Sequence, residues 1–138
     1  MWPTEEDLKK MDPEKIPTLK LSKIKWYRGG SILSIQCITN DGQESPVGGG
    51  NYSTDATFEI PDDKTVRKVK ILASENWVNK MQFFDDTDNQ IGNTMSTADR
   101  GDWTTFELEE GERLVGMQAH SDGDNHMRRF GLVTLKQP

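Results

Sequence analysis

The sequence predicts an all-β fold built from short antiparallel strands. Apolar residues alternate with polar ones in one segment after another, which is the pattern of a strand with one buried face. Clusters of Gly, Asn, Asp and Pro separate these segments, as tight turns require. About ten such strands at this spacing are typical of a β-sandwich, a barrel or a prism. Part of the pattern also recurs along the chain, which indicates an architecture of repeated units.

The recurrence links three pairs of segments. Residues 34–37 (Ser-Ile-Gln-Cys) match residues 80–83 (Lys-Met-Gln-Phe) at an offset of 46, and residues 57–60 (Thr-Phe-Glu-Ile) match residues 105–108 (Thr-Phe-Glu-Leu) at an offset of 48. The apolar spacing of residues 66–71 returns in residues 114–119, again at an offset of 48. A unit that cannot bury its own apolar face must pack against its copies. We therefore expect each sheet to contribute one set of buried side chains that face a common axis. These sets include Ile35, Val69, Phe83, Phe106 and Met117.

Residues 1–18 differ from the rest of the chain. Thr4, followed by Glu5, Glu6 and Asp7, resembles a capping box that starts a short helix, and the prolines at 13 and 17 end any helix. This N-terminal extension can be interpreted as a frayed leader. It can also be interpreted as a docking tail in which three apolar side chains, Trp2, Leu8 and Met11, grip a partner chain.

From residue 19 onward the pattern is that of strands. We predict them at 19–21, 24–26, 33–37, 58–60, 66–71, 78–83, 104–108, 113–119 and 130–135, with residues 78–92 forming a hairpin. Residues 28–30 and 40–42 supply the glycines and asparagine that tight hairpin turns need. Residues 48–51 form a glycine-rich loop. This loop lacks the Lys-Ser/Thr pair and the helix of a nucleotide-binding loop, so it does not indicate phosphate binding.

Composition narrows the function classes. The chain has 138 residues, a net charge of −6 and a pI near 4.9, with no basic stripe for a nucleic-acid backbone. No apolar run is long enough for a membrane span. The first residues are acidic, unlike a signal peptide, so a natural start at Met1 would indicate a cytoplasmic protein. The single Cys37 shares a predicted buried face and is expected to act as a small hydrophobe.

No group of residues has the form of a catalytic or metal-binding site. His120, His126 and the distant Cys37 do not make a zinc set, and no nucleophile has a recognisable base and orienting acid. The acidic turns at 62–63 and 85–90 hold the oxygen ligands that calcium prefers, but they lack the spacing and the distal Glu of an EF-hand. We expect their carboxylates to be solvated, with unshifted pKa values. The sequence therefore predicts neither an enzyme nor a cofactor, and calcium-dependent binding is a remote alternative.

Several segments resemble a jacalin-related lectin domain. They are residues 32–37 running into 40–42, residues 66–71 leading to 78–83, the penultimate strand at 111–116 and the closing strand at 130–132. The resemblance covers roughly residues 19–136. It implies a β-prism domain at 19–138, made of three four-stranded antiparallel sheets, behind the extension at 1–18. A β-sandwich is the alternative fold.

The resemblance also implies a sugar site, which this sequence does not reproduce. The family binds a hexose through a glycine-rich N-terminal edge and a late Gly-x-x-x-Asp loop. If Gly131 is set on the glycine that closes this loop, Asp124 takes the place of the motif glycine and Arg128 that of the motif aspartate. Leu19, Lys20 and Leu21 stand where the N-terminal glycine pair is expected.

Two functions are compatible with these observations, and the lack of a signal peptide and of the sugar-binding loop signature favours the first. The first is a non-catalytic protein-interaction module or structural component of a larger assembly, with protein partners. The second is a carbohydrate-binding lectin that uses the loop 121–131. Polar side chains at the tip of that loop could pair with sugar hydroxyls, or could serve only the geometry of the turn: Asp122, Gly123, Asp124, Asn125, His126 and Arg128.

Overall fold

The computed structural model describes residues 2–28, 32–49, 56–74, 78–96, 99–120 and 129–136, and it confirms the all-β prediction. Helix α1 spans Glu5–Lys9 and one turn of 3-10 helix spans Ile16–Thr18. The strands are β1 (Leu21–Arg28), β2 (Ile32–Thr39), β3 (Gly48–Gly49), β4 (Ala56–Glu59), β5 (Lys68–Ala73), β6 (Val78–Phe84), β7 (Gln90–Met95), β8 (Asp102–Glu107), β9 (Glu112–His120) and β10 (Arg129–Lys136).

The strands form two four-stranded units and a two-stranded sheet, and the pairs between them are antiparallel. The first unit has the order β4-β1-β2-β3, and the second has the order β8-β5-β6-β7. The units join where Ile32 of β2 pairs with Val78 of β6. Strands β9 and β10 pair with each other. Within the described residues the third sheet thus holds two strands where the prism prediction has four.

The two four-stranded units repeat the same arrangement of residues. Ile24 of β1 pairs with Phe58 of β4 and Cys37 of β2. Val69 of β5 pairs in the same way with Phe106 of β8 and Phe83 of β6, so residues at offsets of 46 and 48 take equivalent places. The repeat read from the sequence therefore corresponds to a repeat in strand pairing.

The interior holds four of the five predicted core side chains. Ile35, Val69, Phe83 and Met117 are buried in one continuous apolar cluster, which also contains Cys37. Phe106 is only half-buried, so its prediction was wrong. An edge position alone does not explain this, since among the described strands β4 and β8 both lie at sheet edges. The equivalent Phe58 of β4 is buried because it lies against Phe83 and Gly92.

The N-terminal segment packs against the same domain. The predicted capping box is present: the Asp7 amide donates to Thr4 Oγ1 over 3.1 Å, and the Thr4 amide donates to Asp7 Oδ2 over 2.9 Å. Trp2 makes a β-bridge to Met117 of β9. A second apolar cluster joins Met11, Leu19 and Val115, so the described part of the extension covers one face of β9.

Candidate functional site

The predicted binding loop is the connection of the β9–β10 hairpin. The register runs from Glu112 opposite Lys136 to His120 opposite Arg129, with one irregularity at Val133 and Thr134. Residues 121–128 join the two strand ends. Six predicted ligand-binding residues, Asp122, Gly123, Asp124, Asn125, His126 and Arg128, lie outside the described residues. Their role as a site stays a prediction.

The opposite end of the hairpin is held by polar contacts. The two carboxylate oxygens of Glu112 accept from the Glu109 amide over 2.7 Å and from Thr134 Oγ1 over 2.8 Å. These hydrogen bonds, the Glu109 amide first, lower the pKa of the Glu112 carboxyl. Lys136 Nζ lies 2.5 Å from Glu109 Oε2. The hairpin is therefore fixed at its base, and it carries the polar loop at its far end.

A cleft of about 660 Å³ lies between α1, the segment 43–48 and strands β2 and β9. Its floor is apolar, with Ile35 and Cys37 from β2 and Met117 and Ala119 from β9, and its walls carry polar groups: Thr4, Asp7, Lys10, Gln43, Glu44 and Ser45. This volume is that of a typical small-ligand pocket. Neither the cleft nor its lining was anticipated from the sequence.

The cleft adjoins the loop-bearing end of the hairpin. Ala119 is part of its floor and directly precedes His120, after which the loop begins. A Cβ at Gly48 would lie 2.9 Å from the carbonyl oxygen of Ala119, so strand β3 runs close against β9 at this point. The cleft therefore reaches the end of β9, which leads into the loop.

Cys37 contributes no reactive thiolate to the cleft. Its side chain is 2% exposed, and burial raises the pKa of the thiol to about 12, despite a hydrogen bond from the Met117 backbone. The thiol is therefore protonated at neutral pH and a poor nucleophile. This agrees with its predicted behaviour as a small buried hydrophobe.

The three residues predicted as a docking tail contact their own domain. Met11 is buried with Leu19 and Val115, and Trp2 and Leu8 pack against the same cluster while half-exposed. Their apolar surface is thus largely used within the chain. A docking role toward another protein stays a prediction for Trp2, Leu8 and Met11.

The expectation of solvated, unshifted carboxylates was wrong for Asp85. Its side chain is 5% exposed, and its Oδ1 accepts from Thr87 Oγ1, Thr87 N and Asn89 N over 2.7, 2.9 and 3.0 Å. These hydrogen bonds, that from the Thr87 hydroxyl first, lower the pKa of the carboxyl. Asp85 therefore holds the turn at 85–89 together, which explains its position without a metal ion.

Other functional chemistry finds no support in the described part of the chain. No group of three or more His, Cys, Asp or Glu side chains there is placed to hold a metal ion. No helix among these residues combines the length and the apolar character needed to cross a membrane. The site that stands out is therefore the end of the hairpin with its adjoining cleft.

The structure also shows that Arg113 links the N-terminal segment to β9, which sequence reasoning missed. Its Nε donates to the Leu19 carbonyl and its Nη2 to the Ile16 carbonyl, each over 2.9 Å. The signal was present in the sequence, since a lone arginine precedes the apolar residues Leu114 and Val115 of a predicted strand. A partly buried cation in such a strand requires partners.

Comparison by sequence finds no relatives: no protein-family model and no curated protein matches the chain. Comparison by structure does find similar proteins. The prostate-specific WGA16 glycoprotein lectin is 11% identical, with a TM-score of 0.70 over 86% of this chain and 84% of its own. Artocarpin, solved in complex with mannotriose, is 14% identical, with a TM-score of 0.64 over 84% of this chain and 83% of its own.

A third similar structure is AcmJRL, a mannose-binding jacalin-related lectin from Ananas comosus. It is 18% identical, with a TM-score of 0.64 over 85% of this chain and 83% of its own. Similarity at such low identity concerns the fold, since unrelated functions share folds. On this fold similarity, the chain is a divergent protein with the fold of the jacalin-related lectins.

Proposed function

We propose that the chain is a non-catalytic carbohydrate-binding lectin that contacts glycans through the loop 121–131. One observation carries the proposal: a loop rich in polar side chains connects the β9–β10 hairpin of a fold shared with lectins. Two of the similar structures are a mannose-binding lectin and a lectin in complex with a mannose oligosaccharide. This reverses the order in which the sequence alone ranked the two functions.

The loop has the chemistry for hydroxyl groups but departs from the sugar-binding pattern of the family. Asp124 puts a side chain where the pattern has a glycine, whose backbone amide can approach a sugar ring closely. Arg128 offers donors where the pattern has the acceptors of an aspartate. We therefore expect mannose, glucose and galactose to bind with dissociation constants above roughly 10 mM, which corresponds to less than about 3 kcal/mol.

The adjoining cleft supports a ligand larger than one sugar. It offers about 660 Å³ beside the start of the loop, and Asp7, Lys10 and Glu44 line it together with an apolar floor. Carboxylates, an ammonium and amides at its wall can exchange hydrogen bonds with hydroxyls. Sugar units beyond the first would then add contacts that a monosaccharide cannot make. Oligosaccharides are accordingly the proposed ligand class.

A glycan array followed by calorimetric titration tests this function. We expect an oligosaccharide to bind at least tenfold more tightly than its constituent monosaccharides, and Asp124→Ala to weaken that binding by at least tenfold. Asp86→Ala, an acidic residue of another turn, is the matched control and should bind as the wild type does. An array without any bound glycan would contradict the proposal. Submillimolar monosaccharide binding that Asp124→Ala abolishes would contradict the oligosaccharide preference but support a lectin.

A protein-interaction module is the second candidate, and Trp103 favours it. This side chain is 44% exposed on the edge strand β8, and Lys70 Nζ lies 5.5 Å from the centre of its ring. Exposed tryptophans are frequent anchors of protein interfaces, and edge strands offer unpaired backbone groups. A partner identified by affinity purification should bind at least tenfold more weakly to Trp103→Ala. Unchanged binding by that variant would remove the support that Trp103 gives.

A further inference from the structure

A second, smaller cavity lies beside Arg113. Its volume is about 50 Å³, and it is enclosed by the start of β1, the turn at 60–66 and the start of β9. Lys20, Lys64, Arg113 and Thr65 are its polar lining, and the other lining side chains are apolar. Among the described residues, three cations and no carboxylate line this cavity. Such a lining is unusual in a chain with a net charge of −6.

The guanidinium of Arg113 is the least balanced of the three cations. Its Nε and Nη2 each donate to a neutral backbone carbonyl, those of Leu19 and Ile16. Its Nη1 is buried and has no hydrogen-bond partner within the described residues. Buried donors without a partner are rare, so this guanidinium lacks part of its usual stabilisation. Burial also lowers the pKa of this side chain, as expected for a cation that lacks a counter-charge.

The two lysines leave most of the positive charge uncompensated. Lys20 Nζ donates to the backbone carbonyl of Asp62 over 2.5 Å, which is a neutral acceptor. Lys64 Nζ lies 3.7 Å from Asp85 Oδ2, so it has one acidic neighbour. The hydrogen bonds from Thr87 and Asn89 already engage the other oxygen of Asp85. The described residues therefore offer one carboxylate for three cations.

We propose that this cavity binds a small inorganic oxyanion of the phosphate or sulfate class. A tetrahedral oxyanion presents several acceptors at once, so it can pair with the lysine ammonium groups and the Thr65 hydroxyl, with the charge of the Arg113 guanidinium beside them. Water would supply hydrogen bonds but no counter-charge. Because water occupies roughly 30 Å³ per molecule in the liquid, the cavity suits a small ion rather than a sugar ring. None of its lining residues belongs to the loop 121–131, and the proposal does not depend on glycan binding.

The anion also couples to the N-terminal segment. Arg113 holds the carbonyls of Ile16 and Leu19 against β9, and a bound anion would balance the charge of the guanidinium that makes these contacts. A ligand that binds the folded state alone stabilises it by mass action. Phosphate should therefore slow limited proteolysis within residues 2–18 as well as raise the melting temperature.

The experiment is a titration with inorganic phosphate, read by the melting temperature and by ³¹P NMR line width, at constant ionic strength. We expect saturable line broadening for the wild type and at least tenfold weaker binding for Lys20→Gln and Arg113→Met. Lys23→Gln is the matched control, since Lys23 is an exposed lysine of β1 paired with Glu59 over 3.6 Å. The control should bind phosphate within twofold of the wild type.

Phosphate and sulfate raise the stability of many proteins without binding to a specific site. The comparison between variants therefore distinguishes binding at this cavity from that general effect. An equal rise in melting temperature for wild type, Lys20→Gln and Lys23→Gln, with no line broadening, would overturn the proposal. Lys20→Gln keeps the test valid if Arg113→Met does not fold, because Lys20 is a partly exposed side chain.

Glucose 6-phosphate should not compete, since its ring exceeds the cavity, and competition would refute the proposed size limit. Glycan binding should be unchanged in Lys20→Gln, so each proposal can fail alone.

Discussion

Replacement of Phe58 by alanine tests how the repeated units pack. Phe58 of β4 is 7% exposed, and its ring centre lies 5.0 Å from that of Phe83. On the other side the ring lies against Gly92 of β7, where a Cβ would come within 3.1 Å of it. Phe106 occupies the equivalent place in the second unit but is only half-buried. The two positions therefore hold the same residue type, buried in the first unit and half-buried in the second.

The expected loss in the free energy of unfolding for each variant follows from how deeply its ring is buried. Loss of a fully buried phenyl ring removes roughly 1.5–3 kcal/mol of transfer free energy. The cavity left behind and the lost ring contact raise the cost of Phe58→Ala to about 4 kcal/mol. At Phe106 water reaches the site, so no closed cavity forms, and about half of the transfer free energy, roughly 0.8–1.5 kcal/mol, is lost. This value replaces the large cost that full burial of Phe106 would have implied.

Urea denaturation followed by circular dichroism measures both costs as differences in the free energy of unfolding. Since the chain has 138 residues, Phe58→Ala should also lower the melting temperature by roughly 10–15 °C and Phe106→Ala by roughly 3–5 °C. Equal costs for the two variants would refute the argument, because they would show that β8 is covered as fully as β4. An unchanged stability of Phe58→Ala would refute the described core.

Three further predictions concern other contacts. The folded-state pKa of Asp85 is lowered from its ordinary value of 3.8, so its stabilisation is present above that pH and is lost as the pH falls through the lower value. Asp85→Asn should therefore melt below the wild type at pH 7, and the gap should close in acid. Calcium in excess should leave the melting temperature unchanged, and a chelator-reversible rise would contradict this. Gly116→Ala should speed tryptic cleavage within residues 2–18, because a Cβ there would lie 2.1 Å from the Trp2 carbonyl oxygen, whereas Gly131→Ala, with its nearest contact at 3.9 Å, should not.

The sequence predicted the strands well because each strand carries its own signal. The two-residue alternation of apolar side chains depends on a single buried face, so it is visible without knowledge of the partner strand. Strand ends were less certain: residues 66–71 were predicted where β5 spans Lys68–Ala73. The repeat was also readable, since equivalent strands need similar residues at equivalent positions.

The pattern could not show what packs over each side chain. Thr-Phe-Glu occurs in both β4 and β8, yet Phe58 is buried and Phe106 is half-buried. The difference arises from what packs over each ring, Phe83 and Gly92 in the case of Phe58. Such contacts join residues that are distant in sequence. Local periodicity contains no information about them.

The candidate site was predictable only in part, for a related reason. The polar loop 121–128 is visible in the sequence, but loops have no periodicity from which positions of side chains follow. The cleft was missed because it is formed by α1, by the segment 43–48 and by β9, which are far apart in the chain. Arg113 was missed because its partners are backbone carbonyls of Ile16 and Leu19, and any residue type supplies those.

These contacts give the N-terminal segment a role that its composition does not suggest. Trp2 bridges to β9, Met11 is buried with Val115, and Arg113 fixes the carbonyls that lead into β1. The segment also forms one wall of the large cleft through Asp7 and Lys10, and Arg113 beneath it lines the small cavity. A displaced segment would therefore alter both candidate sites at once. Glycan and phosphate titrations of Gly116→Ala, set beside those of Gly131→Ala, would show whether ligand binding depends on this wall.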